Sequence, residues 1–322
     1  MGIFANPLTD LLEYEDFSRD FLKGTDPVGM TGCIDSEKVH FMSTFLGEKK
    51  VQLVVTYNEQ RAREIEEDYK LFCSQVYVIP PRDLIFFSAD LQGNAIIAER
   101  MKAFAALYQN EAKVIITTID ALMSAAVPFE QLMSHVIKLK EGDELDLEKL
   151  KHDLTVMGYE RVGRVEEPGQ FTVHGGIADV YPLTMEVPVR IELWGDEIDT
   201  IRCFEPQSQR SMDQIESVSV FPAAEVIADD TARRRAVGMI QNELESQLAV
   251  FKKVKEPDKA KRLREETNCI LEALGEEVVL EAPDSYISYF YPRTVRLSEY
   301  FDEKNTLVFL DEPMRLKERG DG

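Results

Sequence analysis

An alternation near the start of the chain most limits what it can fold into. VQLVVT (51–56), VYVIP (76–80) and KVIITT (113–118) are short apolar, β-branched runs that read as strands. Between the first two, Ala62, Ile65, Tyr69 and Phe72 recur at helical spacing. Between the second and third, AIIAERMKAFAALYQ (95–109) has a broad apolar face, and IDALMSAAV starts a helix behind the third. Strands separated by helices are βαβ units, so this part should build a mostly parallel sheet. NTLVFLDEP (305–313) repeats the buried-strand pattern far along the chain. The first and last thirds are therefore expected to share one sheet.

The middle follows another grammar. A helix with Leu147, Leu150, Leu154 and Met157 on one face is expected within 141–159. FTVHGGIADVYP, VPVRIELWGDEIDTIRCF and ESVSVFP then give short alternating strands punctuated by Gly and Pro. A small antiparallel or mixed sheet follows from that pattern. After Asp229 and Asp230, both good N-caps, a long helix carries the stripe Val237, Ile240, Leu244, Leu248 and Phe251. Pro257 should break it, and helix resumes from Lys259 to Leu274. The changes of grammar suggest three segments: 1–125, an insert at 126–213, and 214–322 returning to the first.

Composition narrows the function. The 322 residues hold 37 Lys+Arg against 59 Asp+Glu, a net charge of −22. Such a chain repels phosphates on average, which argues against free-standing nucleic-acid binding and against anionic membranes. At 44% hydrophobic and 30% charged it is globular. No apolar run approaches the roughly 20 residues that span a bilayer. The start has acids where a secretory signal wants basic residues. Cys33, Cys73, Cys203 and Cys269 are scattered, as reduced thiols of a cytoplasmic protein would be.

Two segments bear on nucleotide chemistry. A phosphate loop needs G-x-x-x-x-G-K-[ST]. Gly29-Met30-Thr31-Gly32-Cys33 opens correctly, but Ile34 takes the place of the second glycine and Asp35 that of the lysine; Ser36 alone survives. A register that puts Lys38 in the lysine slot sets Glu37 and Val39 around it, which is no better. Val308-Phe309-Leu310-Asp311-Glu312 has the strand-then-acid form that holds Mg²⁺ in such folds. Both segments also read as an ordinary loop and strand end. Their order on a βαβ background favours a nucleotide-binding fold whose site has decayed, with no catalytic residue and no metal site in this chain.

The motifs GYERV, PGQF, HGGIADVYP, RIELWGDEI and SQRS, between 158 and 211, resemble the UvrA-interaction domain shared by UvrB and the bacterial transcription–repair coupling factors. The whole chain is similar to the N-terminal UvrB-like module of the coupling-factor family. The resemblance implies an α/β fold: a degenerate P-loop NTPase-like domain with an inserted small α/β UvrA-interaction domain. It also implies recruitment of UvrA without catalysis. ATP and Mg²⁺ would serve only motor domains that this chain lacks, and RNA polymerase and DNA would be met only through those domains. A C-terminal domain of the full protein would mask the UvrA surface. UvrA contacts map onto Arg190, Trp194, His174 (an arginine in the family pattern) and Arg161; Thr172 stands where UvrB has a further arginine.

The residues make these roles physically reasonable. Arg and Trp are frequent interface anchors. Alternation along one strand projects Arg190, Glu192 and Trp194 together and turns Ile191 and Leu193 inward. Blander roles exist for each: Trp194 capping a small core, Arg190 paired with Glu192 or Asp196, His174 at a turn edge beside Gly175 and Gly176. Two rival functions also stand, an active UvrB-type ATP-binding helicase subunit and a purely structural clamp for a motor domain.

Overall fold

The computed structural model describes residues 8, 14–24, 27–82, 91–227, 229–275 and 286–320. The acidic start, with Asp10 and Glu13, lies outside the described residues. The chain forms two compact units, one of residues 1–82, 102–124 and 296–322, the other of 83–101 and 125–295.

The first unit opens with helices α1 (Tyr14–Lys23) and α2 (Asp35–Ser43). Strand β1 (Val51–Thr56), helix α3 (Glu59–Lys70) and strand β2 (Val76–Ile79) follow, then α4 (Leu91–Tyr108), whose residues fall in both units, and β3 (Val114–Thr118). Helix α3 starts where Asn58 Oδ1 accepts the Arg61 N–H at 2.8 Å. Its face of Ala62, Ile65 and Tyr69 is fully buried against Val54, Val78 and Val114. Each such aliphatic side chain contributes about 1.5–3 kcal/mol by leaving water. The helix expected after β3 is short, Ile119–Met123, and ends where Ser124 Oγ donates to the Ala121 carbonyl at 2.7 Å.

The second unit holds the inserted sheet. Strand β4 (Ile137–Lys140) and helix α5 (Leu147–Val156) lead into β5 (Glu160–Arg161), β6 (Gln170–His174), β7 (Ile177–Val180), β8 (Val189–Trp194), β9 (Glu197–Phe204), β10 (Ser211–Gln214) and β11 (Ser217–Val220). Six of these form one sheet in the order β10-β9-β8-β7-β6-β5. It is mixed as expected: β5 runs parallel to β6 and the other neighbours are antiparallel. Leu150 and Leu154 of α5 join Phe171, Val173, Ala178, Val180, Ile191 and Ile201 in the core on one face. Arg100 of α4 is also buried in this unit. It is held by Glu225, with Nη2 to Oε2 at 3.1 Å and a second bond from Nε.

Helices α6 (Asp230–Val254) and α7 (Pro257–Gly275) complete the described helical pair. Asp229 caps α6, accepting the Ala232 N–H at 2.7 Å. Two expectations need correction here. Pro257 does not break α6; the chain turns at Lys255, which takes φ +58°, and Pro257 opens α7, where its missing N–H costs nothing. Of the apolar stripe, Ile240 is buried, while Val237, Leu244, Leu248 and Phe251 are only half-buried.

Strand β12 (Thr306–Leu310) and helix α8 (Pro313–Gly320) return to the first unit. Its sheet has the order β12-β1-β3-β2, and every neighbour is parallel. The first and last thirds thus share one sheet. β12 is an edge strand, however, and Val308 and Leu310 are 48% and 55% exposed, so its buried-strand pattern overstated its burial.

Candidate functional site

The outer face of the inserted sheet is built by register. Thr172 of β6 lies opposite Asp179 of β7, and Asp179 opposite Arg190 of β8. One step along, His174, Ile177 and Glu192 form the next row, and Trp194 follows on β8. Side chains alternate across a strand, so these rows share the face away from the core. The structure therefore brings Arg190, Trp194 and His174 to one face, with β7 lying between the strands of His174 and Trp194. Arg161 is exposed at the sheet edge, but its register partner is Phe171, in phase with the core side.

The two ends of this face differ. At one end Val165, Tyr181 and Phe204 make a small second core. Arg190 lies over the Phe204 ring at 4.8 Å and grips Asp179 with two bonds of 2.7 Å, Nε to Oδ1 and Nη2 to Oδ2. Such a fork-to-fork pair fixes the guanidinium. It corrects the expectation of Glu192 or Asp196 as partner. The Asp179 bonds raise the Arg190 pKa further above its ordinary value. At the other end, among the described residues, none covers the strand: Trp194 is 84% exposed and Ile177 40%. Trp194 caps no core. Gly175 turns β6 into β7 with φ +59°, a left-handed conformation that suits glycine.

Ile177 and Asp179 escaped the sequence reading. Ile177 follows the Gly175–Gly176 pair and is out of phase with the buried Ala178 and Val180, which is the signal that could have found it.

A second polar cluster lies at the carboxyl ends of β1 and β12 in the first unit, the side where open α/β sheets hold ligands. Asp311 is buried and both its oxygens are engaged. Lys38 Nζ donates to Oδ1 at 3.2 Å; Thr56 Oγ1 and Arg61 Nε donate to Oδ2 at 3.0 and 3.2 Å. Lys38 also donates to Glu312 at 2.6 Å, and Arg61 pairs with Asp35 at 3.2 Å and Glu64 at 3.1 Å. Burial works against the Lys38 charge, but the bonds to Glu312 and Asp311 prevail and its pKa rises. Gly29, Gly32 and Ser36 flank this cluster in sequence. Residues 27–34 run as a loop into α2, and α1, not a strand, is the element before them.

A mixed sheet that leaves a tryptophan and an isoleucine in water on the same face as a clamped arginine has the side-chain make-up of a protein-contact surface. Residues 137–225 match the UvrB interaction domain family. Beyond that segment, nearly the whole chain is similar to transcription-repair-coupling factors. That of Bacillus subtilis is 30% identical over 97% of this chain, that of Staphylococcus haemolyticus 31% over 93%, and that of Staphylococcus aureus (Mu50) 29% over 99%. The alignments cover 27%, 25% and 27% of those relatives, so the chain spans about a quarter of their length. The chain matches an N-terminal module of the transcription-repair-coupling factors.

Proposed function

We propose that this chain is a docking module that recruits UvrA and performs no chemistry. One observation carries the reading: Trp194, 84% exposed, stands at the end of a strand with neighbours on both sides, in the segment that matches the UvrB interaction domain. An exposed indole on a preformed surface offers large contact area at low ordering cost. Trp194 and Ile177 supply the apolar centre, Arg190 the clamped edge beside it, His174 a polar flank, and Arg161 an outlying contact at the sheet edge. The segment 126–213 of the second unit carries the docking surface, and the first unit is the decayed nucleotide-binding fold.

The cluster at Asp311 supports the absence of catalysis. In a working site this acid would hold Mg²⁺. Here Lys38 and Arg61 already neutralise it, and a divalent cation would meet the Lys38 ammonium. Asp35 in the lysine slot would further repel phosphate. ATP, Mg²⁺, DNA and RNA polymerase belong to other domains of a cytoplasmic full-length repair factor, whose C-terminal part covers the UvrA surface until it is needed.

Two measurements on the purified chain test this. Size-exclusion chromatography with UvrA should give a co-eluting complex, and calorimetry with Mg²⁺-ATP should give no heat of binding. Separate elution would remove the docking role; tight nucleotide binding would favour the UvrB-type alternative.

A further inference from the structure

The pair α6–α7 carries a surface that docking through Trp194 leaves unused. The buried residues of α6, Ala236 and Ile240, lie in its first half, and beyond them the helix packs on α7. Around the turn, residues 252–266 hold seven exposed Lys and Arg against four acids, in a chain whose net charge is −22. Lys259, Lys261 and Arg262 pair with Glu256, Glu265 and Glu266 at 2.8, 3.8 and 2.7 Å. Among the described residues, no ion pair engages Lys252, Lys255 or Arg264.

The same turn encloses an open groove of about 780 Å³. Leu248, Phe251 and Ala260 line it together with Lys252 and Lys255 from the end of α6 and Lys261 and Arg264 from α7. Net charge does not decide what such a groove attracts. Its wall holds Glu256 and Glu265 against four cations, so it stays basic over a screening length of about 8 Å at physiological salt. A phosphate backbone would use the cations and gain nothing from Leu248, Phe251 and Ala260. An acidic segment with apolar anchors uses both.

The geometry points to the α6–α7 turn as a docking groove for an acidic, amphipathic segment of a protein partner. Its apolar side chains sit against Leu248, Phe251 and Ala260, and its carboxylates meet Lys252, Lys255, Lys261 and Arg264. The test uses the whole chain and a short fluorescein-labelled peptide with Leu and Phe at helical spacing among glutamates. Fluorescence anisotropy should show saturable binding. The affinity should drop roughly tenfold when Lys252→Gln, Lys255→Gln, Lys261→Gln and Arg264→Gln are combined, with helical circular dichroism unchanged. Phe251→Ala alone should weaken the peptide while leaving UvrA co-elution intact. Four results would each overturn the assignment: no binding, equal binding of a polyglutamate peptide without Leu and Phe, tighter binding of a DNA duplex, or self-association that the four substitutions abolish.

Discussion

Trp194 and Arg190 share one face of one strand, yet their removal should have different consequences. Trp194 is almost wholly in water, so Trp194→Ala should leave the unfolding free energy from urea melts within about 0.5 kcal/mol of wild type. Arg190 neutralises Asp179, whose side chain is 8% exposed. Arg190→Ala strands that carboxylate and should cost roughly 1–3 kcal/mol in the same melt. A Trp194→Ala protein that melts early would mean that the indole packs on its own domain. The contrast also separates direct contact from positioning: weaker UvrA binding after Arg190→Ala mixes both, and after Trp194→Ala it does not. The sequence displayed Trp194 and its face, because alternation along RIELW needs no tertiary knowledge. It could not display the partner of Arg190. Asp179 lies eleven residues earlier and meets it only through the β7–β8 register.

At the scale of elements, the strands of the four-stranded sheet and β6 to β9 of the inserted one were legible because their apolar runs are short and bounded by turn residues; β5 and β10, short and polar, were not. The failures come from surroundings. The pattern of β12 matches that of β1, but an edge position leaves Val308 and Leu310 open. The stripe of α6 predicts an apolar face without saying how little covers it. Pro257 was read as a breaker because a proline forbids a helix before it as readily as it starts one after it. The turn between α6 and α7 instead depends on Lys255 at φ +58°, a conformation costly for any residue with a Cβ. Lys255→Gly should therefore stabilise the helical pair, by about 0.5–1 kcal/mol after the entropy of the glycine is counted. Differential scanning calorimetry reads this as a raised melting temperature, and an unchanged or lowered one would refute it.

At the scale of the molecule, distant parts of the sequence converge on a few polar ties that no local pattern reveals. Arg61 stands among other charged residues of α3, yet it reaches Asp311 across 250 positions of sequence. Tyr291 is another such tie. Its hydroxyl donates to the Ile227 carbonyl at 3.2 Å and accepts the Ile227 N–H at 2.9 Å. Burial pushes its pKa up to about 12. The unfolded chain would ionise near the ordinary value of about 10, so it releases a proton that the folded chain keeps. This contribution to stability is thus intact below about pH 10 and falls as pH climbs from there towards the raised value. Tyr291→Phe should remove that alkaline slope and cost about 1–3 kcal/mol at neutral pH by leaving the Ile227 groups unpaired. Urea melts across pH would show both effects, and an unchanged slope would contradict the assignment.

The central claim is that a preformed surface around Trp194 recruits UvrA while the decayed nucleotide site stays silent. A calorimetric titration of UvrA into the wild-type chain and into Trp194→Ala tests it most directly. The account predicts saturable binding by the wild type and a loss of at least about 2 kcal/mol, roughly thirtyfold, in the variant, with its melting unchanged. Equal affinity for the two proteins would contradict it.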